Sequence, residues 1–223
     1  LSTAKADLDT KAKEVVSTEG KTKATVDAYN EAKAAAEAAV TAAEAVINDE
    51  NVTATAVAEA LANVNAKKAA LEAAKAALVA KVTPEQKTAL GQADADLAVL
   101  GDAELAGKTK ATADAYKAET GKLTADIEAA KREAAAILAD PENKTQAEAA
   151  LVQSKIEALK AKLDAAKAKL VAKADTTELS TAKADLDTKA KEVVPTEGKT
   201  KATVDSYNNA KAAAEAAVTA AEA

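Results

Sequence analysis

The strongest constraint on this 223-residue chain is an internal repeat. Residues 1–45 recur at 179–223, so the two copies are offset by 178 positions. The three differences between them are Ser17 to Pro195, Ala28 to Ser206, and Glu31 to Asn209. A diverged third copy lies between them, because the motif GKTKAT starts at positions 20, 107 and 198. Units of about 89 residues therefore follow one another, which predicts a tandem array.

The residue composition favours helices. The chain is rich in Ala, Lys, Glu and Leu, which are strong helix formers, and it has only 6 Gly and 3 Pro. Few turn residues predict long elements. Because many of the apolar residues are Ala, each helix buries little surface, and we expect close-packed helices around a narrow core.

The first unit is predicted to contain three helices. They cover residues 1–16, residues 22–47, and a third stretch that starts at Thr53 or Thr55 and ends near residue 82. Apolar residues recur in each with helical periodicity. Those of the second helix are Val26, Tyr29, Ala36, Val40, Ala43 and Ile47, and those of the third are Val57, Val64, Leu71 and Leu78.

The second unit repeats this design. Thr83 and Pro84 are typical of a helix start, and residues 90–100 correspond to helix one. The apolar stripe of helix two is Ala113, Tyr116, Thr120, Leu123, Ile127, Ala130, Ala134 and Ile137, and helix three continues through Ile156, Leu163 and Leu170. Residues 175–178 lack Pro and Gly, so a helix running through this junction is predicted.

These patterns predict an all-α fold of tandem three-helix bundles, joined end to end into an elongated rod. The predicted domains are residues 1–82, residues 83–174, and residues 175–223 as a truncated copy with helices one and two only. There is no initiator Met and no signal peptide, which leads us to expect a segment of a longer array. We expect a monomer, with the truncated tail as a candidate for self-association.

Catalytic chemistry is hard to build from this composition. The chain has no His and no Cys, which removes the usual zinc sites and nucleophile–base pairs. We expect no enzyme activity, no cofactor and no metal. The acidic turns at 49–51 and 140–143, and Asp94, Asp96 and Asp102, lack the spacing of a calcium loop and are interpreted as solvated turns.

Charge excludes two classes of partner. The net charge is -6 with lysines interspersed among acids, so we expect no nucleic-acid partner. No run of 18 apolar residues exists without charge, so we expect no membrane insertion. The lysines of helix three could attract acidic wall polymers, but a solvated face with ion pairs within the helix is the default reading. They are Lys67, Lys68, Lys75, Lys160, Lys162, Lys167 and Lys169.

Three repeated motifs have both a binding and a structural reading. Tyr29, Tyr116 and Tyr207 occupy equivalent positions and form a candidate binding face, although they also lie on the apolar stripe. GKTKAT lacks the first Gly and the strand of a phosphate loop. Its Gly is expected to end one helix and its Thr to cap the next. Thr53 and Thr145, in Asn-X-Thr triplets, are likewise read as helix caps.

One family shares this order of elements. Tyr29 followed by NEAKAAAEAAV, the turn NDENVT at 48–53, and ADPENKT at 139–145 resemble the FIVAR-type three-helix repeats of Gram-positive cell-wall-anchored surface proteins, of the extracellular matrix-binding type. The resemblance implies a surface-exposed stalk or a matrix-binding array at the cell wall. It does not identify a ligand.

Three functions follow as hypotheses. The first is a structural spacer that projects a distal binding domain from a cell surface. The second is a repeated binding module that holds a host serum or matrix protein on a helical face. The third is an amphipathic lipid-surface protein, against which the narrow, Ala-rich stripes argue.

Overall fold

A computed structural model describes residues 1–222, which are all-α, as the sequence predicts. This range holds eleven helices and no strand, with three isolated β-bridges. The helices are α1 (Ser2–Ala12), α2 (Lys23–Asn48), α3 (Ala54–Ala76), α4 (Pro84–Gly91), α5 (Ala93–Asp96), α6 (Asp102–Leu105), α7 (Lys110–Gly121), α8 (Thr124–Ala139), α9 (Gln146–Ala168), α10 (Thr177–Lys191) and α11 (Lys201–Ala220). The described residues divide into two compact units.

The first unit comprises residues 1–105 and 110–170, and its first core lies among α1, α2 and α3. Val64 and Leu71 are seven residues apart, so α3 presents both to the same side, where both are buried. Small Ala side chains on α2 let the three helices approach closely. The buried residues are Leu8, Ala12, Tyr29, Ala36, Ala39, Val40, Ala43, Val64 and Leu71. Most of the predicted stripe is confirmed, but Ile47 is 40% exposed.

The second core of this unit lies among α4, α5, α8 and α9. Ile127, Ala130, Ala134 and Ile137 of the predicted stripe are buried in it, together with Ile156 and Leu163. A smaller cluster forms where Leu105, Tyr116 and Ala166 meet, with Leu170 packed at its margin.

Two predicted helix ends in the first bundle are wrong. Helix one ends at Ala12 rather than Val16, and helix three ends at Ala76 rather than Val82. The early end of helix three has a tertiary cause, because the backbone groups of residues 79–82 form hydrogen bonds with neighbouring loops instead of within a helix. In addition, Thr83 precedes Pro84, and a residue before proline disfavours the helical region.

The segment LVAK, defined as Leu78 to Lys81, is therefore extended. The loop before α2 contacts one side of it: the N–H of Thr22 donates to the Val79 carbonyl at 2.8 Å, and the N–H of Lys81 donates to the Gly20 carbonyl at 2.9 Å. The loop before α9 contacts the other side. There the N–H of Gln146 donates to the Ala80 carbonyl at 3.1 Å, and the Val82 N–H donates to the Lys144 carbonyl at 3.0 Å.

The second bundle departs from its predicted helices as well. Helix two is not continuous but breaks between α7 and α8, at residues 122–123. Thr120 is buried and its hydroxyl donates to the Tyr116 carbonyl at 2.9 Å, a back-bond that bends helices, and the next residue is Gly121. Helix one is the pair α4 and α5 rather than residues 90–100. The predicted start at Thr83 is confirmed by a capping box with Gln86.

The second compact unit comprises residues 106–109 and the chain from residue 171 onward, including α10 and α11. The predicted continuous helix across 175–178 is wrong, because residues 169–176 are not helical. Instead, the N–H of Thr109 donates to the Val171 carbonyl at 2.8 Å, and that of Lys173 donates to the Gly107 carbonyl at 2.9 Å. The domain boundaries at 82 and 174 stay a prediction.

Candidate binding surface around the repeated tyrosines

The three tyrosines occupy the same place in three helices, nine residues after the Gly of GKTKAT. Tyr29 lies on α2, Tyr116 on α7 and Tyr207 on α11. Their exposure differs: Tyr29 is 4% exposed and Tyr116 is 2% exposed, whereas Tyr207 is half-buried. Two of the rings therefore pack inside bundle cores. That the three bind a partner stays a prediction.

Two tyrosine hydroxyls bind the backbone of the loop that follows helix one. The Tyr116 hydroxyl accepts a hydrogen bond from the Leu100 N–H at 3.0 Å. The Tyr207 hydroxyl donates to the Glu192 carbonyl at 3.1 Å. Since a buried phenol needs a polar partner, these bonds let the ring pack while the hydroxyl ties the loop to helix two.

Above Tyr29 is a shallow cleft between α1 and α3, which is crossed by ion pairs. Lys11 of α1 lies 2.9 Å from Glu72 of α3, and Glu14 pairs with Lys75. Farther along, Asp7 pairs with Lys68. The cleft is lined by Lys11, Glu14, Tyr29, Leu71, Glu72, Lys75 and Ala76. Charges of alternating sign thus join two helices, which sets their register.

These contacts shift the pKa of the paired groups. The hydrogen bond from Lys68 lowers the pKa of Asp7, that from Lys75 lowers the pKa of Glu14, and that from Lys11 lowers the pKa of Glu72. In return, the hydrogen bond to Glu72 raises the pKa of Lys11. All four groups are solvated, so each pair contributes little, and the row as a whole matters more than any member.

Acid is expected to loosen the contact between α1 and α3. A carboxylate whose pKa is lowered by folding stabilises the fold above its unfolded value, here 3.8 for Asp7 and 4.5 for Glu14 and Glu72, and this stabilisation is lost as the pH falls through the lowered pKa. The protection factors for hydrogen exchange in α1 and α3, which compare each measured rate with its intrinsic rate at the same pH, should therefore fall between pH 5 and pH 3 more than those in α9.

The variant Asp7→Asn/Glu14→Gln/Glu72→Gln should already exchange faster at pH 7 and show a flatter pH dependence. Glu31→Gln is the control, because Glu31 is exposed on α2 and makes no ion pair within residues 1–222. An unchanged pH dependence in the triple variant would show that these pairs do not link the two helices.

Other candidate motifs prove to be structural in the described residues. Thr53 accepts from the Ala56 N–H at 3.1 Å, and Thr145 forms a capping box with Glu148, so both predicted caps are confirmed. Within residues 1–222, no group of three acidic side chains is arranged to hold a metal ion. Three carboxylates singled out in the sequence instead pair with lysines: Asp94 with Lys131, Asp96 with Lys160, and Asp102 with Lys117.

The Gly and Thr of the GKTKAT motif do not have the roles predicted for them. Gly20 and Gly198 have φ of 69° and 75°, a left-handed conformation that suits glycine, but both lie in turns well after helix one has ended. Thr22 and Thr200 are at helix N-caps, yet their side chains cap no backbone N–H. Thr22 is buried and its hydroxyl pairs with that of Thr25 at 2.9 Å.

The lysines of helix three form more ion pairs with other segments of the chain than within their own helix. Lys68 pairs with Asp7 of α1, Lys75 pairs with Glu14 just after the end of α1, and Lys169 pairs with Glu119 of α7 at 2.7 Å. The default reading of ion pairs within the helix is therefore wrong for these three. No helix in the described range is long and apolar enough to cross a membrane.

Sequence reasoning missed the extended LVAK segment as a structural element. The signal was present, because LVAK recurs as Leu170 to Lys173 after the second helix three. The two segments also share their hydrogen bonds: Thr22 to Val79 corresponds to Thr109 to Val171, and Lys81 to Gly20 corresponds to Lys173 to Gly107.

The chain is similar to extracellular matrix-binding proteins of Staphylococcus aureus. It is 33% identical over 231 residues to extracellular matrix-binding protein EbhB of strain N315, which covers 98% of this chain and 5% of the relative. It is also 33% identical over 225 residues to EbhB of strain Newman and to the ebh protein of strain COL, covering 96% of this chain and 3% and 2% of those relatives. The chain thus spans a small part of each relative. No family model and no solved structure matches it.

This similarity agrees with the resemblance to surface-protein repeats. The relatives are named as matrix-binding proteins and not as enzymes. The FIVAR-type assignment stays a prediction.

Proposed function

We propose that this chain is a structural stalk or spacer repeat of a bacterial surface adhesin, which projects a distal binding domain. In this proposal three-helix bundles follow one another end to end in an elongated rod. The relatives' name, extracellular matrix-binding protein, supports an extracellular location, and anchoring to the cell wall is part of the proposal.

The LVAK segment at 78–81 is the observation that carries this proposal. Backbone hydrogen bonds of 2.8–3.1 Å join residues 79–82 to loops of both flanking bundles, and Lys81 pairs with Glu142 at 2.5 Å. Two further bonds connect the start of α2 to the loop before α9: the N–H of Lys23 donates to the Glu142 carbonyl at 2.8 Å, and that of Ala24 donates to the Asn143 side-chain oxygen at 3.2 Å. A junction held from both sides resists bending, which is what a spacer requires.

Small-angle X-ray scattering tests the proposal. Units in line, with helices of roughly 40 Å, should give a maximum dimension on the order of 100 Å or more. A compact chain of this length would have a radius of gyration of about 17 Å, and such a particle would overturn the spacer.

Two variants of Lys81 test the junction. Lys81→Pro removes the N–H that donates to Gly20 and should broaden the distance distribution. Lys81→Ala keeps that N–H and loses only the ion pair, so its distribution should stay close to that of the native chain. Equal profiles for the two variants would show that the backbone contact does not stiffen the junction.

A binding module is the second candidate, and the relatives' names favour it. Such a module would hold a host matrix or serum protein on a helical face, with the tyrosine sites as the candidate contacts. Surface plasmon resonance against purified matrix proteins, serum albumin and immunoglobulin G separates the two candidates. Saturable binding to one of them would replace the spacer with a binding role.

A further inference from the structure

We propose that the loop after α1 is a cleavage site for an endopeptidase whose specificity pocket, which receives the side chain before the scissile bond, takes a small aliphatic residue. The site is the segment KEVVST, defined as Lys13 to Thr18, and the bond that is cut joins Val15 to Val16. Water adds across this amide, so the Val15 carbonyl carbon becomes a carboxylate and the Val16 nitrogen leaves as an amine. The site is additional to the spacer role and does not depend on it.

The first support is the exposure of the Val15 side chain, which is 97%, the highest among the large hydrophobic residues in the described range. Exposure alternates along the segment: Val15 and Ser17 are exposed, whereas Val16 and Thr18 are partly buried, and Val16 packs against the first core. This alternation is that of an extended chain with one face outward. A protease pocket can therefore receive the Val15 side chain without the unfolding of a helix.

The second support is the free backbone of the segment. A cleft that binds an extended peptide does so through main-chain hydrogen bonds, with pockets for alternate side chains. The N–H groups of residues 15–20 form no hydrogen bond within residues 1–222. On either side, the Glu14 N–H donates to the Lys11 carbonyl at 3.3 Å and the Lys21 N–H donates to the Thr18 carbonyl at 3.2 Å. The free donors thus coincide with the exposed Val15.

Two other valines outside the helices are exposed but lack this free backbone. Val79 is 41% exposed and Val171 is 56% exposed. The Val79 carbonyl accepts from the Thr22 N–H, and the Val171 carbonyl accepts from the Thr109 N–H, each at 2.8 Å. Because these backbone groups are already paired, both valines should resist an endopeptidase that accepts Val15.

The corresponding loop of the second bundle is also held more firmly. Its Leu100 N–H donates to the hydroxyl of Tyr116, whereas the hydroxyl of Tyr29 forms no hydrogen bond in the part of the chain that the structure describes. The tyrosine that ties this loop in the second bundle therefore leaves it free in the first.

Val15 is exposed although the contacts between its loop and the neighbouring segments are in place. The Lys81 N–H donates to the Gly20 carbonyl at 2.9 Å, and the Lys23 N–H donates to the Glu142 carbonyl at 2.8 Å. The loop before α2 is thus already joined to the LVAK segment and to the loop before α9. Neither of them covers Val15.

The last copy carries a substitution that opposes cleavage. Its segment reads KEVVPT, with Pro195 where Ser17 stands in the first copy. Val193, the equivalent of Val15, is 89% exposed, so its side chain is similarly open. Proline has no N–H, so the second residue after the scissile bond cannot donate to the protease backbone. The Val193–Val194 bond should therefore be cut more slowly than the Val15–Val16 bond.

Limited proteolysis of the full chain with neutrophil elastase tests the proposal, because the specificity pocket of an elastase is small. At low enzyme concentration and neutral pH, mass spectrometry under denaturing conditions should show fragments 1–15 and 16–223 before any other product. A first cut after Val79, Val171 or Val193 would overturn the proposal. Loss of the intact chain only under conditions that unfold the helices would overturn it as well.

Two variants of Val15 test the pocket. Val15→Asp should slow this cut by about a hundredfold, because a carboxylate is disfavoured in an apolar pocket. Val15→Ala is the control, since it keeps a small aliphatic side chain and should still be cut. Both changes are at a 97% exposed position, so circular dichroism should show native helix content. Equal cleavage of Val15→Asp and the native chain would show that Val15 does not enter the pocket.

Variants of the third residue of the pair test the backbone contact. Ser17→Pro should slow the cut by about tenfold, because one main-chain hydrogen bond to the protease is lost. Ser17→Ala keeps the N–H and should be cut at the native rate. In the last copy, Pro195→Ser should speed cleavage after Val193 by a similar factor. Unchanged rates in both Ser17→Pro and Pro195→Ser would contradict recognition of an extended backbone.

Discussion

Replacing Leu163 with alanine is expected to destabilise the second bundle by about 2–5 kcal/mol. Leu163 is fully buried in the core formed by α4, α5, α8 and α9, so the truncation leaves a cavity that the surrounding helices fill only in part. Urea unfolding followed by circular dichroism should show a lower midpoint for the helices of this bundle.

The control is Leu151→Ala on the same helix. Leu151 is 60% exposed, so this variant makes the same chemical change on α9 without a cavity. It should alter the unfolding free energy by less than about 0.5 kcal/mol. If both variants lost equal stability, the cavity left at Leu163 would not be the cause, and the packing of Leu163 would not be what holds the bundle.

Replacing Tyr116 with alanine is the other change with a large expected effect, about 3–5 kcal/mol. The ring is 2% exposed and packs with Leu105 and Ala166, so its removal empties the small cluster that joins α6, α7 and α9. Tyr116→Phe keeps the ring and removes only the acceptor for the Leu100 N–H, which should cost about 1 kcal/mol. Hydrogen exchange in α7, with urea unfolding of the whole chain, measures both effects.

The equivalent change in the last copy is the matched control. Tyr207 is half-buried, and no helix equivalent to α3 covers it within the described residues. Tyr207→Ala should therefore cost clearly less than Tyr116→Ala. A loss as large as that of Tyr116→Ala would mean that the hairpin of α10 and α11 has a stable core of its own.

Local pattern predicted the helices and their inward faces well. Val64 and Leu71 on α3, and Ile156 and Leu163 on α9, were expected on apolar stripes and are buried. Helix α2 begins and ends within one residue of its prediction. Such features depend on spacing along one helix, and a period of 3.6 residues is visible in the sequence itself.

Helix ends and junctions could not be predicted in this way. The end of α3 and the extended LVAK segment depend on loops before α2 and α9, which lie about 60 residues away in either direction along the chain. The pairs between α1 and α3 are likewise non-local, since Asp7 and Lys68 are 61 positions apart. The fold decides whether such a backbone group forms its hydrogen bond within a helix or to a distant loop.

Because the sequence repeats, the contributions of local sequence and of tertiary structure can be separated in one molecule. Sequence alone determined that the chain is helical, that it repeats, and which residues face inward, because these follow from propensity and periodicity. Only tertiary structure decided which of those faces are covered. Leu8 and Leu186 have the same neighbours in sequence, yet the first is buried and the second is exposed, because α3 packs on α1 and α2 while α10 and α11 have no such helix in residues 1–222. Burial depends on a partner that local sequence does not contain.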